Sequence, residues 1–103
     1  MEELEATIFE LIVHSGNARG LLYEALDCAE NEEYQQIDDL LAQAKAEMNT
    51  AHNIQTQLIQ DNLAGKGAIS LLLIHAQDQL MTAMSEQALI ERLIKMQKQL
   101  NEK

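Results

Sequence analysis

Three stretches of the chain place apolar or small residues at alternating spacings of four and three, the mark of helices that each bury one face. The first runs Leu4, Ile8, Leu11, Ser15, Ala18, Leu22, Ala25 and Ala29. The second runs Tyr34, Ile37, Leu41, Ala44, Met48, Ala51, Gln55 and Leu58, and the third Ile69, Leu73, Ala76, Leu80, Ala83, Gln87, Ile90 and Ile94. A repeat held over about four heptads predicts a coiled-coil-like seam, with the helices packed at shallow crossing angles. The expected fold is all-α.

The interruptions are short. Asn31-Glu32-Glu33 separates the first two patterns, with Asn31 placed to cap the second helix and acidic residues in its first turn. Ala64-Gly65-Lys66-Gly67 separates the second from the third, and its glycines can take positive φ after a helix end. Connections this short make consecutive helices antiparallel. Lys95, Lys98 and Lys103 near the chain end complement the negative pole of the third helix.

The third helix departs from simple amphipathicity. At about 100° per residue, Leu71, Ile74, Met81 and Met84 fall well away from its main seam. A helix apolar around most of its circumference is normally buried, and a three-helix protomer cannot cover one helix on every side. Self-association is the expected remedy.

Composition supports the same picture. The 103 residues suffice for a single domain, 1–103. The absence of Trp and Pro, with one Phe and two Tyr, leaves Leu, Ile, Ala and Met to build the core of a turn-poor chain. A net charge of −10, from 17 acidic and 7 basic residues, disfavours nucleic acid and anionic membranes as partners. The longest apolar run, Leu71 to Ile74, is too short for insertion into a bilayer. Cys28 is the sole cysteine, so no internal disulfide can form, and the acidic start Met-Glu-Glu-Leu-Glu is unlike a signal peptide. A cytoplasmic location is expected.

Candidate chemistry concentrates on the third helix. His75, Asp78, Gln79 and Thr82 share a polar stripe at i, i+3, i+4 and i+7. His75 points about 130° from the main seam and Asp78 nearly opposite it. Inside an apolar stretch these groups need partners. A neutral imidazole is a nitrogen nucleophile near pH 7 that can carry a labile phosphoryl group, and Gln79 can donate to phosphoryl oxygens without adding charge. Asp78 would repel a phosphate and suits a hard cation such as Mg²⁺, provided symmetry multiplies its single carboxylate. His14 and His52 lie beside seam positions near Asn17 and Gln55, where polar groups can equally fix helix register. No cluster has zinc-ligand spacing, no phosphate-binding glycine loop follows a strand, and no nucleophile elbow is present.

Three stretches together resemble the lactose/cellobiose-type enzyme IIA of the bacterial phosphoenolpyruvate-dependent sugar phosphotransferase system. They are His14-Ser15-Gly16-Asn17-Ala18-Arg19, Ala51-His52-Asn53-Ile54-Gln55-Thr56-Gln57-Leu58-Ile59 and Leu72-Leu73-Ile74-His75-Ala76-Gln77-Asp78-Gln79-Leu80-Met81, one on each helix. The resemblance implies an antiparallel three-helix protomer that assembles as a trimer, a nine-helix bundle. It implies that His75 accepts a phosphoryl group from phospho-HPr and passes it to a cysteine of the cognate enzyme IIB, for uptake of a β-disaccharide of the cellobiose, chitobiose or lactose class. Gln79, Gln77, His14, Asn17, His52 and Gln55 are the implied neighbours of that group. Asp78 is implied to meet its symmetry mates around a Mg²⁺ or similar divalent ion on the trimer axis. One position departs from the family pattern His-Ala-Gln-Asp-His, because Gln79 stands where the second histidine would be. Glutamine keeps a donor but cannot become cationic.

Two other readings use the same helices differently. A non-catalytic oligomerisation or regulatory module would use the apolar third helix and leave His75 idle. A two-component histidine phosphotransfer domain would phosphorylate a helical histidine, but generally on a four-helix bundle with a different motif.

Overall fold

The computed structural model describes residues 2–65 and 69–103, so Lys66 and Gly67 of the second break lie outside the described residues. Helix α1 spans Glu2–Glu30, a single 3-10 turn spans Tyr34–Gln36, α2 spans Ile37–Leu63 and α3 spans Leu71–Asn101. Together they make a rod of 56 × 18 × 17 Å. That length follows from α3, whose 31 residues reach roughly 46 Å at 1.5 Å per residue. The three-helix class expected from the periodicity is observed. Two cross-links between α1 and α3, Arg19 to Glu86 and Asn101 to the Ala29 carbonyl, lie 67 and 72 residues apart in the chain. Such similar offsets mean that α1 and α3 run parallel, with α2 antiparallel to both.

The predicted seams form the core. Ile8, Leu11 and Leu22 of α1, Ile37 of α2 and Leu80 of α3 are almost wholly removed from solvent. Alanines are the other constituent: Ala18, Ala25, Ala44, Ala51, Ala76 and Ala83 are completely buried. Their small side chains let helix backbones approach closely and give way between the larger residues. Ser15 occupies a seam position with its Oγ buried and without a hydrogen-bond partner among the described residues. Helix α1 packs along both of the others, whereas α2 and α3 meet at few residues. Helix α1 is therefore the central element, with α2 and α3 each packed along it.

Two boundaries differ from the expectation. Asn31 does not cap α2. Instead α1 closes on a C-terminal motif in which the Glu33 N–H donates to the Cys28 carbonyl at 2.8 Å and the Glu32 N–H to the Ala29 carbonyl at 3.3 Å. This pairing needs a left-handed residue, and Glu32 supplies it at φ 59°. Tyr34 then falls in the 3-10 turn, and α2 begins at Ile37 with Asp38 and Asp39 in its first turn, where the helix dipole favours them. At the other break Ser70 is extended and its Oγ accepts from the Leu73 N–H at 3.1 Å, so α3 starts at Leu71. Ile69 lies before the helix and is 76% exposed rather than packed in the seam.

The outward face of α3 is the feature that bears on function. Leu71, Ile74, Asp78 and Met81 follow 3-4-3 spacing, and the line continues through Ser85, Leu89, Arg92 and Met96. All eight are exposed in the protomer, with Leu71 at 82%, Met81 at 56% and Ile74 at 49%. This is a second helical seam, opposite the first, with nothing packed on it among the described residues.

Candidate functional site

His75 stands one turn into α3, beside that second seam. Ser70 caps the helix start, its Oγ satisfying one of the otherwise unpaired N–H groups of the first turn. The imidazole is exposed, and among the described residues neither ring nitrogen has a hydrogen-bond partner. Gln79 lies one turn on, about 40° around the helix from His75, and is half-buried. Thr82 and Glu86 extend the same flank. Glu86 is engaged by α1: Arg19 Nε donates to its Oε2 at 3.1 Å and Arg19 Nη2 to its Oε1 at 2.8 Å. This forked pair holds the Glu86 carboxyl below the usual carboxylate range, with Tyr23 as a further donor, and raises the Arg19 guanidinium correspondingly.

The other residues singled out from the sequence fall into two separate groups within the protomer. On the α1–α2 side, His14 Nδ1–H donates to Glu47 Oε2 at 2.5 Å and Asn17 Nδ2–H to Glu47 Oε1 at 3.4 Å. A recess of 290 Å³ opens there, lined by His14, Leu21, Gln43, Ala46, Glu47 and Thr50. The α1–α3 offsets place His14 roughly two to three turns along the axis from the level of His75. On the α2–α3 side, Gln55 Nε2–H donates to Gln77 Oε1. Gln77 is about 200° around α3 from His75, so this amide pair occupies the opposite flank. His52 is exposed on α2, one turn before Gln55. A 220 Å³ cleft continues from Gln77 between the helices, walled by Leu58, Ile59, Leu63, Ile69 and Leu73.

Asp78 lies in the outward seam between Ile74 and Met81, exposed in one protomer. Among the described residues no three His, Cys, Asp or Glu side chains come together in a way that could hold a metal ion. A single carboxylate provides too few ligands for a hard divalent cation, so Asp78 fits such an ion only as one of several copies. Cys28 is buried, and desolvation first, then nearby Glu33, Glu24 and Asp27, push its thiol up, away from the nucleophilic thiolate. No helix in the described residues is long and apolar enough to cross a membrane.

Glu47 and Glu86 were not signalled by the sequence pattern. Both are ordinary surface glutamates by spacing, and their roles depend on which residue the neighbouring helix presents at the same level. Arg19 is the exception, since it closes the first of the three motifs.

The geometry is that of a helical protomer with an exposed histidine on α3 beside an exposed second seam. Residues 6–98 match the family described as PTS system, lactose/cellobiose-specific IIA subunit. The chain belongs to this family of phosphotransferase components. It is 41% identical over 100 residues to the N,N'-diacetylchitobiose-specific EIIA component of Escherichia coli K12, an overlap covering 96% of this chain and 86% of that protein. It is 36% identical over 102 residues to the lichenan-specific phosphotransferase enzyme IIA component of Bacillus subtilis, covering 98% of this chain and 93% of the relative. Among solved structures, the cellobiose-specific enzyme IIA of Bacillus anthracis superposes with a TM-score of 0.93 at 41% identity, over 100% of this chain and 95% of that one. The IIA(chitobiose) of Escherichia coli, solved in complex with HPr, superposes with a TM-score of 0.84 at 40% identity, over 98% of this chain and 99% of that one.

Proposed function

We propose that this chain is the phosphocarrier of a sugar-uptake phosphotransferase system, with His75 as the phosphoryl acceptor, phospho-HPr as donor and a cysteine of the cognate enzyme IIB as recipient. The supporting observation is the state of His75: exposed, unpaired among the described residues, and on the helix whose outward face has nothing covering it. A nitrogen nucleophile must keep its lone pair free and reachable, and of the two ring nitrogens either is available here. In the forward step the P–N bond of phospho-HPr breaks as a P–N bond forms at His75. In the second step that bond breaks as a P–S bond forms at the cysteine of enzyme IIB. The relatives' printed specificities, chitobiose, lichenan and cellobiose, support a β-linked oligosaccharide as the transported sugar. Such a carrier works in the cytoplasm.

The same reading includes a homotrimer. The second seam of α3 has the spacing of a coiled-coil interface, and three copies joined along it would cover Leu71, Ile74 and Met81. Three Asp78 carboxylates would then lie together at the axis, an oxygen set that suits Mg²⁺ or a similar divalent ion and offsets their mutual repulsion. His52 and the α2 flank that carries it would become available to a neighbouring copy rather than to their own His75.

The deciding experiment is labelling with phospho-HPr. The parent protein should acquire an acid-labile phosphoryl group, and His75→Ala should acquire none. A His75→Ala protein that labels like the parent would overturn the assignment.

A further inference from the structure

We infer that Arg92 forms a second site on the axis of the assembly, opposite in sign to that of Asp78. There the guanidiniums of three copies hold a tetrahedral oxyanion such as inorganic phosphate or sulfate. This rests on the trimer reading above and adds an anion site that reading does not contain.

Leu71, Asp78, Ser85 and Arg92 stand seven residues apart on the outward face of α3, and all four are exposed in the protomer. Residues a heptad apart occupy equivalent places in the seam between coiled helices. Copies joined so that their Asp78 carboxylates meet at an axis therefore bring their Arg92 side chains to the same axis. The two levels lie about 21 Å apart at 1.5 Å per residue. Leu89 and Met96, 61% and 57% exposed, lie on either side of Arg92 along this face, so covering them draws the guanidinium out of water as well. A cation drawn into an interface needs a counter-charge. Within the protomer Arg92 has none: the ion pairs among the described residues are His14–Glu47 and Arg19–Glu86. Beside it opens a recess of 550 Å³ lined by Ala88, Glu91, Arg92, Lys95 and Met96. The carboxylate of that lining, Glu91, stands four residues before Lys95, the spacing at which it serves that lysine. Each copy thus brings two cations and one anion to the recess, and the axis gathers this positive excess in a chain whose net charge is −10. A tetrahedral oxyanion answers the arrangement. With one of its bonds along the axis it offers three equivalent oxygens, one to each guanidinium, and the arginine fork suits such oxygens. Chloride offers no such directions.

The test is sedimentation equilibrium of the parent and of Arg92→Gln, in chloride and then in sulfate or phosphate, at equal ionic strength and fixed free Mg²⁺. In the parent, replacing chloride by either oxyanion should tighten association by about tenfold, the effect of charge-assisted hydrogen bonds to a bound ion. Arg92→Gln removes like charges from the axis, so in chloride it should associate at least as tightly as the parent. Sulfate and phosphate should then change its association by less than about twofold. Helicity by circular dichroism should be the same in both proteins, because Arg92 is exposed in the protomer. An equal gain in parent and variant is the general action of these salts on apolar burial, and overturns the site. Association of Arg92→Gln that is weaker than the parent's in every salt also overturns it, and makes Arg92 the partner of a neighbouring copy's carboxylate. A parent trimer indifferent to both oxyanions overturns the anion site alone. A parent that remains a single protomer in every salt overturns the trimer reading beneath it as well.

Discussion

His14 and His75 stand at the surfaces of neighbouring helices, yet their surroundings differ in kind. His14 is fastened: its Nδ1–H bonds Glu47 on the adjacent helix, and Asn17 reaches the same carboxylate. His75 has no such tether and faces outward beside an uncovered apolar stripe. A carboxylate orients an imidazole, so by local chemistry His14 is the better prepared base. What it lacks is an open approach in line with the faces of the molecule that still seek partners. The contrast teaches that a polar residue satisfied inside its own protomer serves the packing of that protomer, whereas one left free on an uncovered face serves an encounter. Labelling with phospho-HPr is the sharpest way to break this comparison. His75→Ala should lose all phosphoryl incorporation, and His14→Ala should retain at least about half of it, since removing a partly exposed pair costs about 1 kcal/mol of stability and no acceptor. Equal losses in the two variants would erase the distinction.

The second prediction concerns the face beside His75. If that stripe is an interface, a charge placed within it should separate the copies while leaving each bundle folded. Met81→Glu removes an apolar contact and adds a carboxylate close to Asp78 on every copy. Association should weaken by at least about 3 kcal/mol, a hundredfold or more. Sedimentation should show protomers with unchanged helicity by circular dichroism. The matching substitution on the fastened side, Glu47→Gln, should leave the assembly as it was. A Met81→Glu protein that sediments like the parent would mean the stripe is covered by something other than further copies.

The third prediction leaves the histidines for the turn that joins α1 to α2. Glu32 holds a left-handed conformation at φ 59°, which a side chain bearing Cβ adopts at a cost, and it sits at the negative end of α1 among Glu30 and Glu33. Glu32→Gly relieves both, and should raise unfolding free energy by about 1–2 kcal/mol in denaturant titrations. No change in labelling should accompany it, because the turn is remote from His75.

Much of this arrangement was legible in the residues. Ala76, Leu80, Ala83, Ile90 and Ile94 were readable as buried because a helix repeats every 3.6 residues and a core needs one face. The surplus apolar positions Leu71, Ile74 and Met81 were readable for the same reason, since they fall where that face does not. His75 and Gln79 were placed on one flank by spacing alone. The turns were legible only in part: Gly65 takes positive φ at 78° after α2 as expected, but in the first turn a glutamate rather than a glycine took the left-handed position, and Ser70 rather than Asn31 supplied a side-chain cap. Cross-helix partners were hidden for a different reason. Whether Glu47 meets His14, or Gln55 meets Gln77, depends on the axial register of two helices, and a shift of one turn would pair other residues. Periodicity along one helix carries no information about that register.

The smallest effect tests the Arg19–Glu86 ion pair on the His75 flank. Arg19 forks onto Glu86 and lowers its carboxyl below the ordinary range, while the guanidinium remains partly in water. A carboxylate whose folded pKa is depressed contributes stability above its unfolded pKa, and that contribution fades as pH falls through the folded value. Solvent screening limits the size, so Glu86→Gln should cost about 0.5 kcal/mol near pH 7. Below the ordinary carboxylate range the parent's own Glu86 becomes protonated, and parent and variant should converge. High salt should narrow the gap at neutral pH in the same way. If the difference instead persisted unchanged into acid, the contribution of Glu86 would lie in packing against Tyr23 and α1 rather than in charge. The flank that carries His75 would then be held to α1 by shape alone.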